Sequence, residues 1–114
     1  MSETIFSKII KREIPATIVY ENEDVLAFND VNPEAPIHCL FIPKIAIATV
    51  NDIQPDQAQL IGKLFIAAKE YAREIGVDES GYRLVMNCNE DAGQTVFHIH
   101  LHFLAGRKLS WPPG

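Results

Sequence analysis

The sequence predicts an α+β domain, with one long helix on one face of a mostly antiparallel sheet of about five strands. Three observations carry this. One amphipathic segment of helical period fills the middle of the chain. Short apolar runs bounded by turn residues flank it on both sides. The last run alternates histidine with apolar residues, His98-Ile99-His100-Leu101-His102-Phe103-Leu104. Successive side chains of a strand point to opposite faces, so period-two alternation predicts a strand. The three histidines then share one face, and Ile99, Leu101 and Phe103 face a core.

The elements follow in order. Ile5 to Lys11 is a short helix, with Phe6, Ile9 and Ile10 at helical spacing, and Pro15 ends it. Thr17 to Tyr20 and Val25 to Phe28 form a hairpin across the polar turn Glu21-Asn22-Glu23-Asp24. A loop rich in turn residues runs from Asn29 to Pro36. Ile37 to Ile42, interrupted by His38, is a strand buried on both faces. The long helix spans Pro55 to Ile75, with Pro55 at its first position and Gly76 at its C-terminal cap. Its apolar stripe is Leu60, Ile61, Leu64, Phe65, Ala68, Tyr71, Ala72 and Ile75, and Phe65 and Tyr71 are expected in the core. Tyr82 to Asn87 is a strand, and a polar loop from Cys88 to Gln94 leads into the histidine row.

Composition narrows the function. The chain has 114 residues and no repeat or linker, so residues 1–114 are read as one domain. A formal net charge of −5 argues against a general binder of nucleic-acid polymers, while a single nucleotide needs only a local site. No apolar run has the length of a membrane span. The start, Met1-Ser2-Glu3-Thr4, lacks the pattern of a secretory signal. Cys39 and Cys88 show no metal-type spacing and are read as reduced thiols of a cytoplasmic protein.

The chemistry centres on the histidine row. At about 3.3 Å rise per residue, same-face neighbours are roughly 6–7 Å apart, so only one imidazole centres on a given reacting atom. The others flank, orient or bind. The preceding loop, Asp91-Ala92-Gly93-Gln94-Thr95, offers a flexible glycine and side-chain donors, and backbone N–H groups at such a turn can cradle a phosphate. Asn87 can reach the same place if the last two strands form a hairpin.

The segment Gly93-Gln94-Thr95-Val96-Phe97-His98-Ile99-His100-Leu101-His102-Phe103-Leu104-Ala105-Gly106-Arg107 resembles the signature of the histidine triad (HIT) family of nucleotide-binding proteins. Thr4 to Ile10, Leu26 to Val31 and Pro36 to Lys44 resemble other parts of the same family, as does the tail Trp111-Pro112-Pro113-Gly114, which is similar to that of the purine nucleoside phosphoramidase branch. The resemblance implies a HIT-like fold, a two-fold dimer and a purine nucleotide of the AMP or GMP type as ligand, with no cofactor and no metal. It implies cleavage of nucleoside 5′-phosphoramidates, with His100 as nucleophile, His102 on the phosphate, and His98 and His38 orienting the nucleophile. Asn87, Gly93 and Thr95 then match phosphate-binding positions, with Gln94 and Val96 beside them. Asp30 matches the carboxylate on the ribose hydroxyls, and Phe6, Ile9, Phe28, Asn29 and Val31 match the walls of the base pocket.

This sequence departs from the family pattern in places. Lys44-Ile45-Ala46 replaces a lysine- and histidine-containing stretch, Ala92 stands where a second glycine is common, and Thr95 stands where serine is frequent. Other readings stay open. Histidines at i and i+2 of a strand can both ligate zinc, with His38 as a further ligand. A non-catalytic nucleotide sensor would share every residue of the site. Asp30 is also a plausible turn residue ahead of Asn32-Pro33.

Overall fold

The computed structural model describes residues 3–114; Met1 and Ser2, at the start of the segment read as lacking a signal, lie outside it. Its centre is a five-stranded sheet in the order β1-β2-β3-β5-β4, antiparallel at every pairing. The strands are β1 (Ile18–Glu21), β2 (Val25–Asn29), β3 (Ile37–Pro43), β4 (Tyr82–Val85) and β5 (Leu101–Ala105). Three helices accompany them: α1 (Ile5–Ile10), α2 (Ala58–Glu74) and the single turn α3 (Asn89–Ala92).

Local chemistry sets the boundaries. Thr4 and Ser7 form a capping box at the start of α1: Ser7 N–H donates to Thr4 Oγ1 at 3.2 Å and Thr4 N–H to Ser7 Oγ at 3.3 Å. Arg12, with φ of 62°, then turns the chain out of the helix. The β1–β2 turn is closed by Asn22, whose Oδ1 accepts from Asp24 N and Val25 N at 2.9 Å each. The expected long helix is divided at its start. Pro55–Gln57 forms one tighter turn before α2 begins at Ala58. At its end Val77 N–H reaches Ala72 O at 2.9 Å and Gly76 N–H reaches Arg73 O at 3.2 Å, a Schellman closure that needs the positive φ of 78° at Gly76.

β3 is central and almost wholly buried, as its continuous apolar run predicts. One apolar cluster lies on the α2 side, where Leu64, Ala68, Tyr71 and Ala72 meet Phe41, Ile99, Leu101 and Phe103. The other lies under α1, where Phe6 and Ile9 meet Leu26, Phe28, Leu40 and Ile42. Phe65 contradicts the expected stripe: it is 45% exposed, as is Ile66 at 51%. The line through Leu64, Ala67, Ala68, Tyr71 and Ala72 faces the sheet, with Leu60 and Ile61 packed against its edge, and Ile75 at the end of the expected stripe is 36% exposed. One step around the helix, Phe65 points past the sheet.

The histidine row also differs from expectation. Regular pairing starts only at Leu101, not at His98. β3 ends at Pro43, which has no N–H to offer a partner strand, and Ile99 N–H bonds instead to Ile47 O at 2.8 Å. Alternation survives without the ladder. Ile99, Leu101 and Phe103 enter the α2-side core, and the histidines face the α1 side. The expected strand Tyr82–Asn87 stops at Val85, and the loop Cys88 to Gln94 contains α3, which Gly93 terminates with φ of 91°.

Candidate active site

The β3–β5 register builds the site. Leu40 lies opposite His102 and His38 opposite Leu104, so His38 and His102 are diagonal neighbours on one face. Their rings meet, with His38 Nε2 2.9 Å from His102 Nδ1. His100 sits next in the row, its ring centroid 4.9 Å from that of His102. The rings lean together, closer than backbone spacing alone predicts. Phe6 of α1 stands perpendicular to His100 at 5.1 Å between centroids.

Hydrogen bonds fix which nitrogen carries each proton. A backbone N–H can only donate and a carbonyl can only accept. His100 Nδ1 lies 2.9 Å from His98 O, so Nδ1 holds the proton and Nε2 carries the lone pair. That Nε2 has no hydrogen-bond partner among the described residues and is not a buried atom, so it is open to a ligand. Glu34 N–H donates to His38 Nδ1 at 2.9 Å, which puts the His38 proton on Nε2. His38 therefore donates to His102 Nδ1, and the His102 proton sits on Nε2. His98 donates from Nε2 to Pro43 O at 2.8 Å, and its Nδ1 is a buried acceptor without a partner among the described residues. In the neutral state one lone pair (His100) and one donor (His102) thus stand side by side.

Burial disfavours the charged form of the three rings in the row. It pushes His98 and His100 below the ordinary imidazole range. His102 is pushed down to about 4, mainly by burial, with the neighbouring His100 and His38 adding to it. A neutral His100 is the form whose Nε2 can attack an electrophile.

Both rings line a cavity of about 670 Å³ between α1 and the sheet. Phe6, Ile9, Phe28 and Val96 make apolar walls, while Asn29, Asp30 and Thr95 add polar groups. Val31 stands at the same cavity although it is largely exposed. Asp30 has two faces. Its Oδ1 accepts from Asn32 N–H at 2.9 Å, as a turn residue does, and its Oδ2 lies 3.4 Å from His38 Nε2.

Other expected residues stand apart from the cavity lining. His38 lies behind His102. His98 lies beneath Phe6 and presents its carbonyl, rather than its ring, to His100. Gln94 is buried and spans the loop: Nε2 donates to Ala48 O at 2.8 Å and Val96 O at 3.1 Å, and Oε1 accepts from Asn89 N–H at 2.8 Å. Gly93 caps α3, and Asn87 lies beyond the end of β4. Sequence reasoning missed the stretch Ile14-Pro15-Ala16-Thr17, which lines the far end of the cavity. Its one signal is the apolar Ile14-Pro15-Ala16 between the end of the first helix and the strand expected from Thr17.

The metal reading changes its ligand set. Asp30, His38 and His102 bring one ligand atom each within 4.8 Å of one another, so a carboxylate does enter the histidine cluster, and His100 does not belong to it. The proton order opposes a cation there. The Glu34 N–H on His38 Nδ1 keeps a proton on Nε2, the atom that would have to bind the metal.

The model of the HIT domain matches residues 11–109. The chain belongs to the HIT family. Among curated HIT relatives, it is 52% identical over 107 residues to the purine nucleoside phosphoramidase of Escherichia coli K12, covering 94% of this chain and 90% of that protein. It is 54% identical over 112 residues to an uncharacterised HIT-like protein of Synechocystis, covering 98% and 97%. Among solved structures, a HIT family hydrolase from Legionella pneumophila superposes with a TM-score of 0.96 at 51% identity, covering 98% of this chain and 100% of that one. A histidine triad nucleotide-binding protein from Candida albicans superposes at 0.82 with 30% identity, covering 96% and 83%. As a HIT protein of this group, the chain is a member of a hydrolase family.

Proposed function

We propose that this protein hydrolyses the P–N bond of purine nucleoside 5′-phosphoramidates, giving a nucleoside monophosphate and an amine. The observation that carries the reading is the His100 tautomer. Its proton is tied to the His98 carbonyl at 2.9 Å, leaving an open Nε2 lone pair on a nucleoside-sized cavity. The relative named purine nucleoside phosphoramidase supports it from outside the structure.

The reaction proceeds in two displacements. His100 Nε2 forms a bond to phosphorus, and the P–N electron pair leaves with the amine, which takes its proton from water. The positive charge on the phosphorylated imidazole is met by the His98 carbonyl through Nδ1–H. His102 Nε2–H donates to a phosphate oxygen, where negative charge builds in the transition state. Thr95, at the cavity, assists; the family resemblance adds the backbone around Gly93 and the Asn87 side chain, both outside the cavity lining, on the phosphate side. Water then attacks phosphorus and gives up a proton to solvent, balancing the one the amine took, the Nε2–P bond breaks, and neutral His100 returns with release of the monophosphate. Asp30 accepts from the ribose hydroxyls, and the base lies between Phe6, Ile9, Phe28 and Val31, against Asn29.

The same reading makes residues 1–114 one HIT domain, acting as a two-fold dimer in the cytoplasm without cofactor or metal. The exposed Phe65 and Ile66 of α2, and β4 at the edge of the sheet, support a second copy as partner. The deciding experiment incubates the protein with adenosine 5′-phosphoramidate in EDTA. AMP release, with an adenylylated His100 peptide recovered after denaturation at alkaline pH, is expected. No AMP with tight AMP binding would make it a nucleotide sensor, and activity lost to EDTA but restored by zinc would revive the metal reading.

A further inference from the structure

The end of β5 returns beside the start of β3, because Ala105 lies opposite Ile37. The two turns beyond this pair are pressed together. A Cβ on Gly106, whose φ is 95°, would meet Pro36 Cβ at 2.9 Å. Next to it, Arg107 reaches across the turn. Its Nη2 donates to Glu34 O at 2.9 Å and its Nη1 to Lys108 O at 3.1 Å. The N–H of that same Glu34 donates to His38 Nδ1 at 2.9 Å, and His38 Nε2–H donates to His102 Nδ1 at 2.9 Å. Hydrogen bonds in series therefore join an exposed guanidinium to the imidazole facing the cavity.

We infer that Arg107 is a positioning residue, which through the backbone of Glu34 fixes the protons of His38 and His102; its effect on rate rests on the phosphoramidase reading above. A histidine's tautomer is set by the hydrogen bond its other nitrogen makes. If the Glu34 N–H turns away, His38 Nδ1 can take the proton and Nε2 becomes an acceptor. His102 must then present its proton to His38 from Nδ1. Its Nε2 lone pair would face a phosphate oxygen, and a stabilising donor becomes a repulsive acceptor. Asp30 Oδ2, 3.4 Å from His38 Nε2, favours the present order, so losing Arg107 weakens that order without inverting it. The planar fork of Arg107 holds two carbonyls at once, which a lysine ammonium does not reproduce in fixed geometry.

The test uses the full chain with ¹⁵N-labelled histidine. Imidazole ¹⁵N spectra near neutral pH should show wild-type His38 and His102 each protonated at Nε2. In Arg107→Met the two nitrogens of each ring should shift toward averaged values. Its kcat should fall roughly three- to tenfold, the scale of one net hydrogen bond, with KM within about twofold. Arg107→Lys should fall between. Glu34→Ala, which keeps the backbone N–H and carbonyl, should match wild type in both measurements. Imidazole signals in Arg107→Met identical to wild type would overturn the proposal, as would a Glu34→Ala loss equal to that of Arg107→Met. Absence of AMP release by the wild type would instead remove the phosphoramidase reading, and the imidazole spectra would still decide the positioning role.

Discussion

His100 is oriented by its own neighbour in the row: its Nδ1 lies 2.9 Å from the carbonyl oxygen of His98. The bond spans two residues of irregular extended backbone, just before the β5 ladder begins. It leaves Nε2 as the single lone pair that can attack. His100→Ala should therefore lower the rate of AMP release by about three orders of magnitude or more. AMP affinity should change little, because His102 and the cavity walls remain. A variant retaining more than about a tenth of the wild-type rate, with chemistry limiting, would rule out a covalent intermediate on His100.

The first histidine presents its backbone carbonyl to His100, so its ring is expected to tolerate change better than those of His100 and His102. His98 Nε2–H holds Pro43 O at 2.8 Å while Nδ1 has no partner among the described residues. His98→Gln keeps a donor of similar reach and should retain activity within about tenfold, whereas His98→Leu strands the Pro43 carbonyl and should cost about 1–3 kcal/mol of stability. Urea midpoints and AMP-release rates measure the two effects separately. A His98→Gln rate as low as that of His100→Ala would mean that the His98 ring itself takes part in the chemistry.

Much of this arrangement was legible in the sequence because period two survives irregular backbone. His98, His100 and His102 share a face even though only His102 lies in a paired strand. What was not legible depends on contacts distant in the chain. Nothing local says that Pro43 ends the β3 ladder opposite the histidines, or that Asp30 joins the His38–His102 pair. Gln94 looked like a ligand donor because it neighbours Gly93, yet its amide is consumed by Ala48 O, Val96 O and Asn89 N–H. Phe65 looked buried because hydropathy marks a broad stripe, while the width of the sheet decides how much of that stripe is covered.

The depressed imidazoles set a pH dependence with a definite sign. In the folded chain His98, His100 and His102 bind protons less readily than the unfolded value of about 6.5. Below that pH the unfolded chain takes up protons that the folded chain refuses, so stability falls as pH drops. The urea midpoint should be level from pH 8 to about 6.5 and decline between about 6.5 and 5, above the range where carboxylates titrate. In the same experiment kcat should hold to below pH 6.5, because His100 stays neutral. A midpoint unchanged across that window would show that the three rings titrate as free imidazole does.

Asp30 offers a test of the ribose contact. Its Oδ1 is already held by Asn32 N–H at 2.9 Å, but Oδ2 lies at the cavity beside His38. Asp30→Asn preserves the turn acceptor and removes the charge. It should raise KM for ribose substrates by about tenfold or more, from charge-assisted bonds of about 1.5–3 kcal/mol. Substrates of the 2′,3′-dideoxy type should be affected far less. Equal losses with both would make Asp30 a turn residue alone.

The tail and the helix surface test the assembly together. Trp111 is 80% exposed, a large aromatic with little to cover it within one chain. Immediately before it, Ser110 O accepts from Arg83 Nη2 at 3.0 Å, which ties the tail to β4. β4 is an edge strand, with one row of backbone groups left unpaired by the sheet, and Phe65 and Ile66 add exposed apolar area on α2. In the dimer proposed above, Trp111 is expected to dock on the second copy near its cavity. Removing residues 111–114 should leave the dimer intact by light scattering and change the relative rates among amine leaving groups. Phe65→Glu should weaken the dimer, because association would bury an uncompensated charge. A wild-type monomer at micromolar concentration would remove the dimer. A leaving-group profile unchanged by the truncation would leave Trp111 outside the site.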